Sequence, residues 1–251
     1  MSKKVIALIA VRMKSSRLPA KATIDLSGAP LILRLHNRLI KSKRIDGIVW
    51  CTSTNKQDDA LQELAELNGI SVYRGSELDV IDRFLKASKE HNPDIIIRVT
   101  GDNPLTDPEM MDYMIERHID SEADFTFTED LPTGTSPEVI SMPALNRCHK
   151  LVQDPSSSEY LTLMLMRPSH FRLQRVSVLD RKLKRPEMRL TVDTPEDLEV
   201  IRHVYEAFSG NPPELFKIIN WLDDNPKVRD INKNIIVEPL NSTVNVLLKG
   251  D

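Results

Sequence analysis

The chain of 251 residues has only eight glycines, and none of them stands in a glycine-rich motif. The patterns G-x-G-x-x-G and G-x-x-x-x-G-K-[ST] are both absent. These are the loops that hold dinucleotides and nucleoside triphosphates through backbone N–H groups. A Rossmann dinucleotide site and a P-loop are therefore disfavoured, and any phosphate group that this protein binds must be held largely by side chains.

Cysteine and histidine are also scarce, at two and six residues. Cys51 and Cys148 have neither the spacing of metal ligands nor the density of a disulfide scaffold. The histidines form no H-E-x-x-H motif, and no serine lies in G-x-S-x-G. We expect a cytoplasmic protein in a reducing compartment, with both cysteines in the core and with histidines that act neither as ligands nor as bases.

Aromatic residues make up 5% of the chain, and the formal net charge is -3. Aromatics this few and scattered form no base-stacking platform, and there is no basic excess for nucleic-acid binding. No apolar run approaches the roughly 20 residues of a membrane-spanning helix, and no small-residue cleavage site follows the N-terminal lysines. We therefore expect no nucleic-acid partner, no membrane partner and no export.

The first half of the chain alternates short apolar runs with helical patterns. The runs are rich in valine and isoleucine rather than strictly alternating, which is typical of strands covered on both faces. This order of elements predicts an α/β fold with a doubly wound, mostly parallel sheet. The predicted strands are 5–10, 47–51, 70–73, 94–100 and 123–128, and the predicted helices are 30–43, 57–67, 80–90 and 108–119.

The second half is less regular, but 251 residues suit a single domain. Prolines interrupt the segment 131–184, which we interpret as an inserted excursion with a helix at 159–166 and a strand at 171–176. A strand at 188–192 is expected to return to the sheet. A helix follows at 195–208, with Thr194 as its N-cap and Pro195 at its first position. The polar tail 234–251 is left unassigned.

A basic loop follows the first predicted strand, at the edge where parallel α/β sheets bind their ligands. Guanidinium and ammonium groups beside hydroxyls are the chemistry that holds a polyphosphate. The alternative is an ordinary solvated loop, because long charged side chains are mostly exposed. The position behind the first strand favours phosphate binding. The loop contains Arg12, Lys14, Ser15, Ser16, Arg17 and Lys21.

Two aspartates follow predicted strands at the same edge of the sheet. Asp102 comes after the strand that ends at Thr100, and Asp193 comes after the strand that ends at Val192. Carboxylates repel phosphates unless a cation lies between them, and Mg²⁺ takes one or two carboxylates together with phosphate oxygens and water. The pair therefore predicts a Mg²⁺ site. Each acid also has a structural interpretation, Asp102 as a turn residue and Asp193 as a helix cap.

Four motifs resemble one family, the cytidylyltransferases that make CMP-activated sugar acids. Within it the chain is most similar to the spore coat polysaccharide biosynthesis protein F branch. The resemblance implies a Rossmann-like nucleotidyltransferase fold in which 131–184 serves acceptor binding and dimerisation. The motifs are R-M-K-S-S-R-L-P-A-K at 12–21, Y-R-G-S-E-L-D-V-I-D-R-F at 73–84, R-V-T-G-D-N-P-L at 98–105 and R-L-T-V-D-T-P-E-D-L at 189–198.

The resemblance implies transfer of CMP from CTP to the hydroxyl of a 2-keto-3-deoxy sugar acid, with release of pyrophosphate, for surface polysaccharide or glycan synthesis. The acceptor would be a sialic-acid-like or octulosonic acid, and the enzyme a homodimer. Arg12, Lys21 and Asp102 would be catalytic, and Asp102 and Asp193 would hold Mg²⁺. The implied nucleotide-binding residues are Ala10, Arg12, Ser15, Ser16, Arg17, Lys21, Arg74 and Arg83.

The chain departs from the branch at two places on the sugar side. Ser158, Glu159 and Tyr160 stand where the branch usually has Arg-Glu-His, and the segment 134–138 lacks the acid commonly found just after its glycine. These departures predict an atypical acceptor or a reduced acceptor pocket.

Other functions remain open from the residues alone. A sugar-nucleotide glycosyltransferase shares such a scaffold, but its usual D-x-D metal motif is absent from the strand ends. A uridylyl- or thymidylyltransferase for sugar 1-phosphates has a glycine-rich opening loop that is missing here. A non-catalytic subunit would keep the nucleotide pocket and bind a partner through the inserted segment.

Overall fold

Seven strands form one sheet in the computed structural model, which describes residues 3–15, 17–235 and 246–250. The strands are β1 (Val5–Ala10), β2 (Gly47–Ser53), β3 (Ser71–Gly75), β4 (Ile95–Thr100), β5 (Phe125–Phe127), β6 (Glu138–Ser141) and β7 (Leu173–Arg175). Their order across the sheet is β3-β2-β1-β4-β6-β5-β7.

Helices cover both faces of the sheet. They are α1 (Leu31–Leu39), α2 (Asp59–Leu67), α3 (Val80–Ser88), α4 (Pro108–Ser121), α5 (Met142–Leu151), α6 (Leu161–Leu165), α7 (Pro195–Ala207), α8 (Leu215–Asp224) and α9 (Pro226–Arg229). Buried residues of α1, α2, α4, α7 and α8 belong to one core cluster, and those of α3, α5 and α6 belong to the other.

Strand β1 shows why the apolar runs lack alternation. Val5, Ala7 and Ile9 point into the first core cluster, whereas Ile6 and Leu8 point into the second. All five are buried. A strand that is covered on both faces needs an apolar side chain at every position.

The parallel part of the sheet sends its loops to one edge. Ala10 of β1 pairs with Cys51 of β2 and with Thr100 of β4, all in parallel register. The loops after β1 and β4 therefore begin side by side. Strand β6 runs antiparallel to β4 and β5, and β7 runs parallel to β5. The predicted doubly wound, mostly parallel α/β fold is confirmed, and 131–184 supplies β6 and β7 to this same sheet.

The predicted return strand at 188–192 is wrong. In the described chain this segment makes a single parallel bridge, between Arg189 and Thr133, and it forms no strand of the sheet. The backbone of 188–192 instead donates hydrogen bonds to two loops at the carboxyl edge of the sheet. The N–H of Leu190 donates to the oxygen of Thr133 at 2.8 Å, and the N–H of Val192 donates to the oxygen of Asp102 at 2.9 Å. The neighbour of β4 on this side is β6.

The tail 234–251 is described at 234–235 and 246–250, and the remainder lies outside the described residues. Val246 and Leu248 are buried, and Leu248 forms a bridge to Val152. The N–H of Lys249 donates to the oxygen of Leu151 at 2.7 Å. Residues 246–250 therefore pack against the end of α5.

Both cysteines are core residues, as predicted. Cys51 and Cys148 are free thiols with no exposed surface, and burial raises the pKa of each to about 12. Among the helices of the described chain, none combines the length and the apolar character needed to cross a membrane.

The start of α7 is anchored by a buried carboxylate. Thr194 and Asp197 form a capping box, in which each side chain accepts the other's N–H, as the predicted N-cap requires. Asp197 has no exposed surface and also binds Arg189 Nε at 2.8 Å and Asn232 Nδ2 at 2.9 Å. This one side chain ties α7, the segment 188–192 and the turn at Asn232 together.

Asp197→Ala should lower the free energy of unfolding by about 3–5 kcal/mol, because the buried Arg189 would lose both of its bonds to Asp197 and keep only the contact with Asp193. Urea denaturation measures the loss. Glu199→Ala, at an exposed position of the same helix, is the control and should stay within about 0.5 kcal/mol of the parent. Losses of similar size in both variants would contradict an anchoring role for Asp197.

His118 is a buried structural histidine. It is 2% exposed, and its Nδ1 lies 2.8 Å from Thr126 Oγ1. Burial lowers the pKa of the ring from 6.5 to about 4. In the folded protein the ring is therefore neutral at any pH above that value.

The free energy of unfolding should fall by up to about 3 kcal/mol as the pH decreases from 6.5 to about 4. In this window the unfolded chain binds a proton that the folded ring excludes, so acid favours unfolding. Urea denaturation across the window should show a weaker pH dependence for His118→Gln than for the parent. His203→Gln, at a half-exposed position on α7, should keep the parental slope. Equal slopes in all three proteins would contradict the assignment.

Candidate active site

A cleft of about 490 Å³ opens at the carboxyl edge of β1 and β4. Most of the residues predicted from the sequence line it, including the basic loop and both aspartates. Ser16 lies outside the described residues, and Arg74 does not line the cleft. The predicted residues that do are Ala10, Arg12, Lys14, Ser15, Arg17, Lys21, Arg83, Asp102 and Asp193.

Lys21 occupies one corner of the cleft between the two predicted metal ligands. Its Nζ donates to Asp102 Oδ2 at 2.7 Å, to Asp193 Oδ1 at 2.8 Å and to the oxygen of Val192 at 3.0 Å. Burial alone would lower the pKa of Lys21, but the two carboxylates outweigh burial and raise it above its ordinary value. The ammonium group therefore stays protonated and neutralises both acids in part.

Asp193 is the more heavily paired of the two acids. Besides Lys21, its oxygens bind Arg17 Nη2 at 3.2 Å and Arg189 Nη2 at 3.0 Å. Burial would raise the pKa of Asp193, but Lys21, Arg17 and Arg189 together hold it below its ordinary value. Arg189 is itself oriented by Asp197, so the anchor of α7 also positions this carboxylate. The helix-cap interpretation of Asp193 is wrong, because Thr194 supplies the cap.

The donor set at this corner fits a hard divalent cation. Asp102 and Asp193 reach a common point, since each lies within 2.8 Å of the same nitrogen. No three histidine, cysteine or acidic side chains form a metal-ligand cluster in the described residues. Two carboxylates are nevertheless the usual protein share of a Mg²⁺ site, because water and phosphate oxygens complete it.

The basic loop is shaped by a buried aspartate that directly precedes α2. Asp58 is 2% exposed and accepts the N–H of Met13 at 2.7 Å and the hydroxyl of Ser53 at 2.5 Å. Burial would raise the pKa of Asp58, but these hydrogen bonds hold it below its ordinary value. Because Met13 stands between Arg12 and Lys14, this contact sets where both cations leave the loop. Nothing in the sequence distinguished Asp58 from an ordinary residue at a helix start.

The cations in the middle of the cleft are only loosely paired. Arg12 Nη2 lies 3.3 Å from Glu159 Oε2, and its Nη1 donates to the oxygen of Glu77 at 3.4 Å. Lys14 Nζ lies 3.4 Å from Glu77 Oε1. These contacts are long and partly exposed, so they contribute little and are readily exchanged for a ligand's oxygens.

Arg74 and Arg83 come from one motif but have different surroundings. Arg74 binds the oxygens of Ser53 and Asn55, Gln62 Oε1 and Asp59 Oδ1, so it ties the ends of β2 and β3 to α2. Arg83 is 1% exposed and lines the cleft. Burial lowers the pKa of its guanidinium.

The structure adds Arg98, to which the sequence analysis gave no role, and brings to the same cleft Glu159 and Tyr160, two of the residues at which the chain departs from the branch. Arg98 lines the cleft, and its Nη1 donates to Glu138 Oε2 at 2.6 Å and to Thr162 Oγ1 at 3.2 Å. Glu159 and Tyr160, on the 3₁₀ segment Pro155–Tyr160, line the same side. One feature of the sequence could have identified Arg98 as a site residue: it is a charged residue inside the otherwise apolar run of β4.

Comparison with known proteins agrees with this geometry. A family model described as cytidylyltransferase matches residues 6–212. The spore coat polysaccharide biosynthesis protein SpsF of Bacillus subtilis (strain 168) is 35% identical over 231 residues, which is 88% of this chain and 95% of that protein.

Two solved structures share the fold. A cytidylyltransferase from Leptospira borgpetersenii has a TM-score of 0.83 at 26% identity, covering 95% of this chain and all (100%) of that chain. A CMP:2-keto-3-deoxy-manno-octonic acid synthetase complexed with CTP has a TM-score of 0.62 at 19% identity, covering 82% of this chain and 99% of that one.

The motif resemblance is therefore confirmed. The family model spans most of the chain and includes every cleft residue named above. This match decides against a sugar-nucleotide glycosyltransferase. The chain belongs to the cytidylyltransferase family and is a nucleotidyltransferase.

Proposed function

We propose that the enzyme transfers CMP from CTP to the hydroxyl of a 2-keto-3-deoxy sugar acid and releases pyrophosphate. The observation that carries the proposal is the corner where Lys21 bonds both Asp102 and Asp193 at 2.7–2.8 Å. A cation held between two acids, beside further arginines, is suited to a metal-bound triphosphate. The synthetase complexed with CTP has the same fold, which supports CTP as the donor.

The residues of the cleft would act mainly by alignment and by neutralising charge. The acceptor hydroxyl attacks the α-phosphorus in line, and pyrophosphate leaves on the opposite side. Arg12, Arg17 and Lys21 would bind the triphosphate and stabilise the charge that grows on the leaving pyrophosphate. The anchored loop holds these groups in place before the substrate binds.

Asp102 and Asp193 would hold the divalent cation, which we propose is Mg²⁺. When bound, such an ion supplies charge neutralisation at phosphate oxygens and lowers the pKa of an attacking hydroxyl. Lys21 would exchange its two carboxylate partners for phosphate oxygens. The two acids therefore serve the nucleotide, and the far side of the cleft remains for the acceptor.

The acceptor side has the charge that a sugar acid needs. Arg98, which is ion-paired with Glu138, lines it together with the hydroxyl of Tyr160 and the carboxylate of Glu159. A guanidinium group matches a carboxylate in a two-point contact. Tyr160 and Glu159 add partners for sugar hydroxyls, and Tyr160 stands where the branch has histidine.

Pyrophosphate release from CTP and Mg²⁺ should depend on a 2-keto-3-deoxy sugar acid. The test measures phosphate after coupling to pyrophosphatase, with octulosonic and sialic-acid-like acceptors, and neutral keto sugars serve as the control. Turnover only with neutral sugars would contradict the proposed acceptor class. Turnover with UTP or ATP in preference to CTP would contradict the donor.

Asp102→Asn should reduce kcat by about 10²–10³, because the variant loses one of the two carboxylates that would hold the divalent cation at the reacting phosphates. CTP affinity should change by less than about tenfold, since the arginines and Lys21 remain. Steady-state kinetics and calorimetric titration with CTP measure the two effects. Asp120→Asn, at an exposed position on α4, should leave both unchanged. Equal losses of kcat and of CTP affinity would assign Asp102 a structural role.

A further inference from the structure

The hydroxyl of Thr100 has a proton that no group of the described chain accepts. Thr100 is the last residue of β4 and lines the cleft. Its Oγ1 accepts a hydrogen bond from Asn103 Nδ2 at 2.8 Å, and among the described residues this is the hydroxyl's one hydrogen bond. An oxygen that accepts from a fixed donor directs its own proton away from that donor. The proton of Thr100 is therefore available to a ligand in the cleft.

The orientation of the Asn103 amide decides which of the two side chains donates. Nδ2 faces the Thr100 hydroxyl, and Oδ1 is buried without a partner. The reverse orientation would bury the amide N–H groups without an acceptor instead. Unpaired buried donors are rarer in proteins than unpaired buried acceptors. The observed orientation is therefore the favoured one, and it turns the Thr100 proton toward the cleft.

The turn that carries Asn103 is fixed on both sides. The N–H of Asn103 donates to the oxygen of Thr100 at 3.2 Å, and the N–H of Thr106 donates to the oxygen of Asn103 at 3.1 Å. A Cβ atom at Gly101 would lie 2.8 Å from Cβ of Val11, so this turn packs directly against the residue that follows β1. The Thr100 hydroxyl is thus held in one direction before a ligand binds.

Thr100 stands between the two halves of the cleft. Side chains two residues apart on a strand share a face, so Thr100 lies on the same face of β4 as Arg98, on the acceptor side. In the other direction, the Cα atoms of Thr100 and Asp102 are at most about 7 Å apart. Asp102 bonds Lys21 at the corner proposed for the metal-bound phosphates. CMP transfer requires the α-phosphorus to lie where these two halves meet.

We propose that Thr100 is a catalytic residue whose hydroxyl donates a hydrogen bond to a non-bridging oxygen of the α-phosphate, and that Asn103 is its positioning residue. Negative charge is spread over the equatorial oxygens of the phosphorus during in-line transfer. A donor already aimed at such an oxygen stabilises the transition state without reorganisation. The proton stays on Thr100, and no covalent bond to its Oγ1 forms or breaks.

This inference rests on the proposed function, since it takes the cleft to bind CTP beside a sugar acid. The test compares the parent, Thr100→Val and Thr100→Ser by steady-state kinetics with CTP, Mg²⁺ and the sugar acid, and by calorimetric titration with CTP. Thr100→Val keeps the branched shape but lacks the donor, so kcat should fall by about 10²-fold while CTP affinity changes by less than about threefold. Thr100→Ser keeps the hydroxyl and should stay within about threefold of the parental kcat.

Thr54→Val is the matched control, because Thr54 is exposed and lies outside the cleft. This variant should leave both kcat and CTP affinity unchanged. The Tm of each variant is measured without ligand. Loss of kcat in Thr100→Val together with a comparable loss of CTP affinity would assign the hydroxyl to the fold or to ground-state binding, and it would overturn a catalytic role.

Asn103→Asp tests the positioning role. An aspartate has no donor, so it would accept the proton of Thr100 and turn it away from the cleft. The kcat of Asn103→Asp should fall at least about tenfold in the parent, but by less than about twofold in the Thr100→Val background, where no hydroxyl is left to orient. An effect of the added charge on the metal corner would persist in that background, and an equal loss in both backgrounds overturns the positioning role.

The outcomes separate this inference from the proposed function. A parent that turns over a sugar acid, with Thr100→Val at the parental kcat, overturns the role of Thr100 while the proposed function stands. A parent that binds CTP but turns over no sugar acid overturns the proposed function and this inference with it. If Thr100→Val does not fold, Asn103→Asp decides, because it changes the direction of the hydroxyl and leaves β4 intact.

Discussion

The ammonium group of Lys21 holds the active site together, because it bonds two carboxylates from distant parts of the chain. Asp102 is 81 residues from Lys21 and Asp193 is 172 residues away. Without a shared cation the two acids would repel each other. The segments that meet at this contact are anchored separately, the basic loop by Asp58 and the segment 188–192 by Asp197. The corner is therefore organised before a ligand arrives.

Charge is distributed unevenly among the residues that line the cleft. At the Lys21 corner, cations and carboxylates are paired, so under the proposed function a phosphate and its metal ion would exchange one set of charged partners for another. Arg83, which also lines the cleft, is buried and lacks a charged partner in the described chain.

Local patterns predicted β1 to β4 and α7 well, because these elements have long apolar runs or a strong cap at Thr194. The same patterns wrongly predicted a strand at 188–192, because this segment has an apolar run like that of a strand but does not join the sheet. Whether an extended segment joins a sheet depends on what lies beside it, and the short strand β6 already pairs with β4. The same limit applies to Arg74 and Arg83. One motif contains both, but partners on β2 and α2 hold Arg74 away from the cleft.

The amino-acid order alone predicted cations behind the first strand and Asp102 behind the fourth, on a sheet whose parallel strands share an edge; it also predicted Asp193 near them, but from a strand at 188–192 that does not form. This was possible because a position at a strand end is a local property of the chain. Only the folded molecule decided which of these groups meet, that Arg98 and Glu159 join them, and that Arg83 has an unbonded donor. Partners and burial arise from contacts between segments far apart in sequence, and no local pattern encodes those contacts.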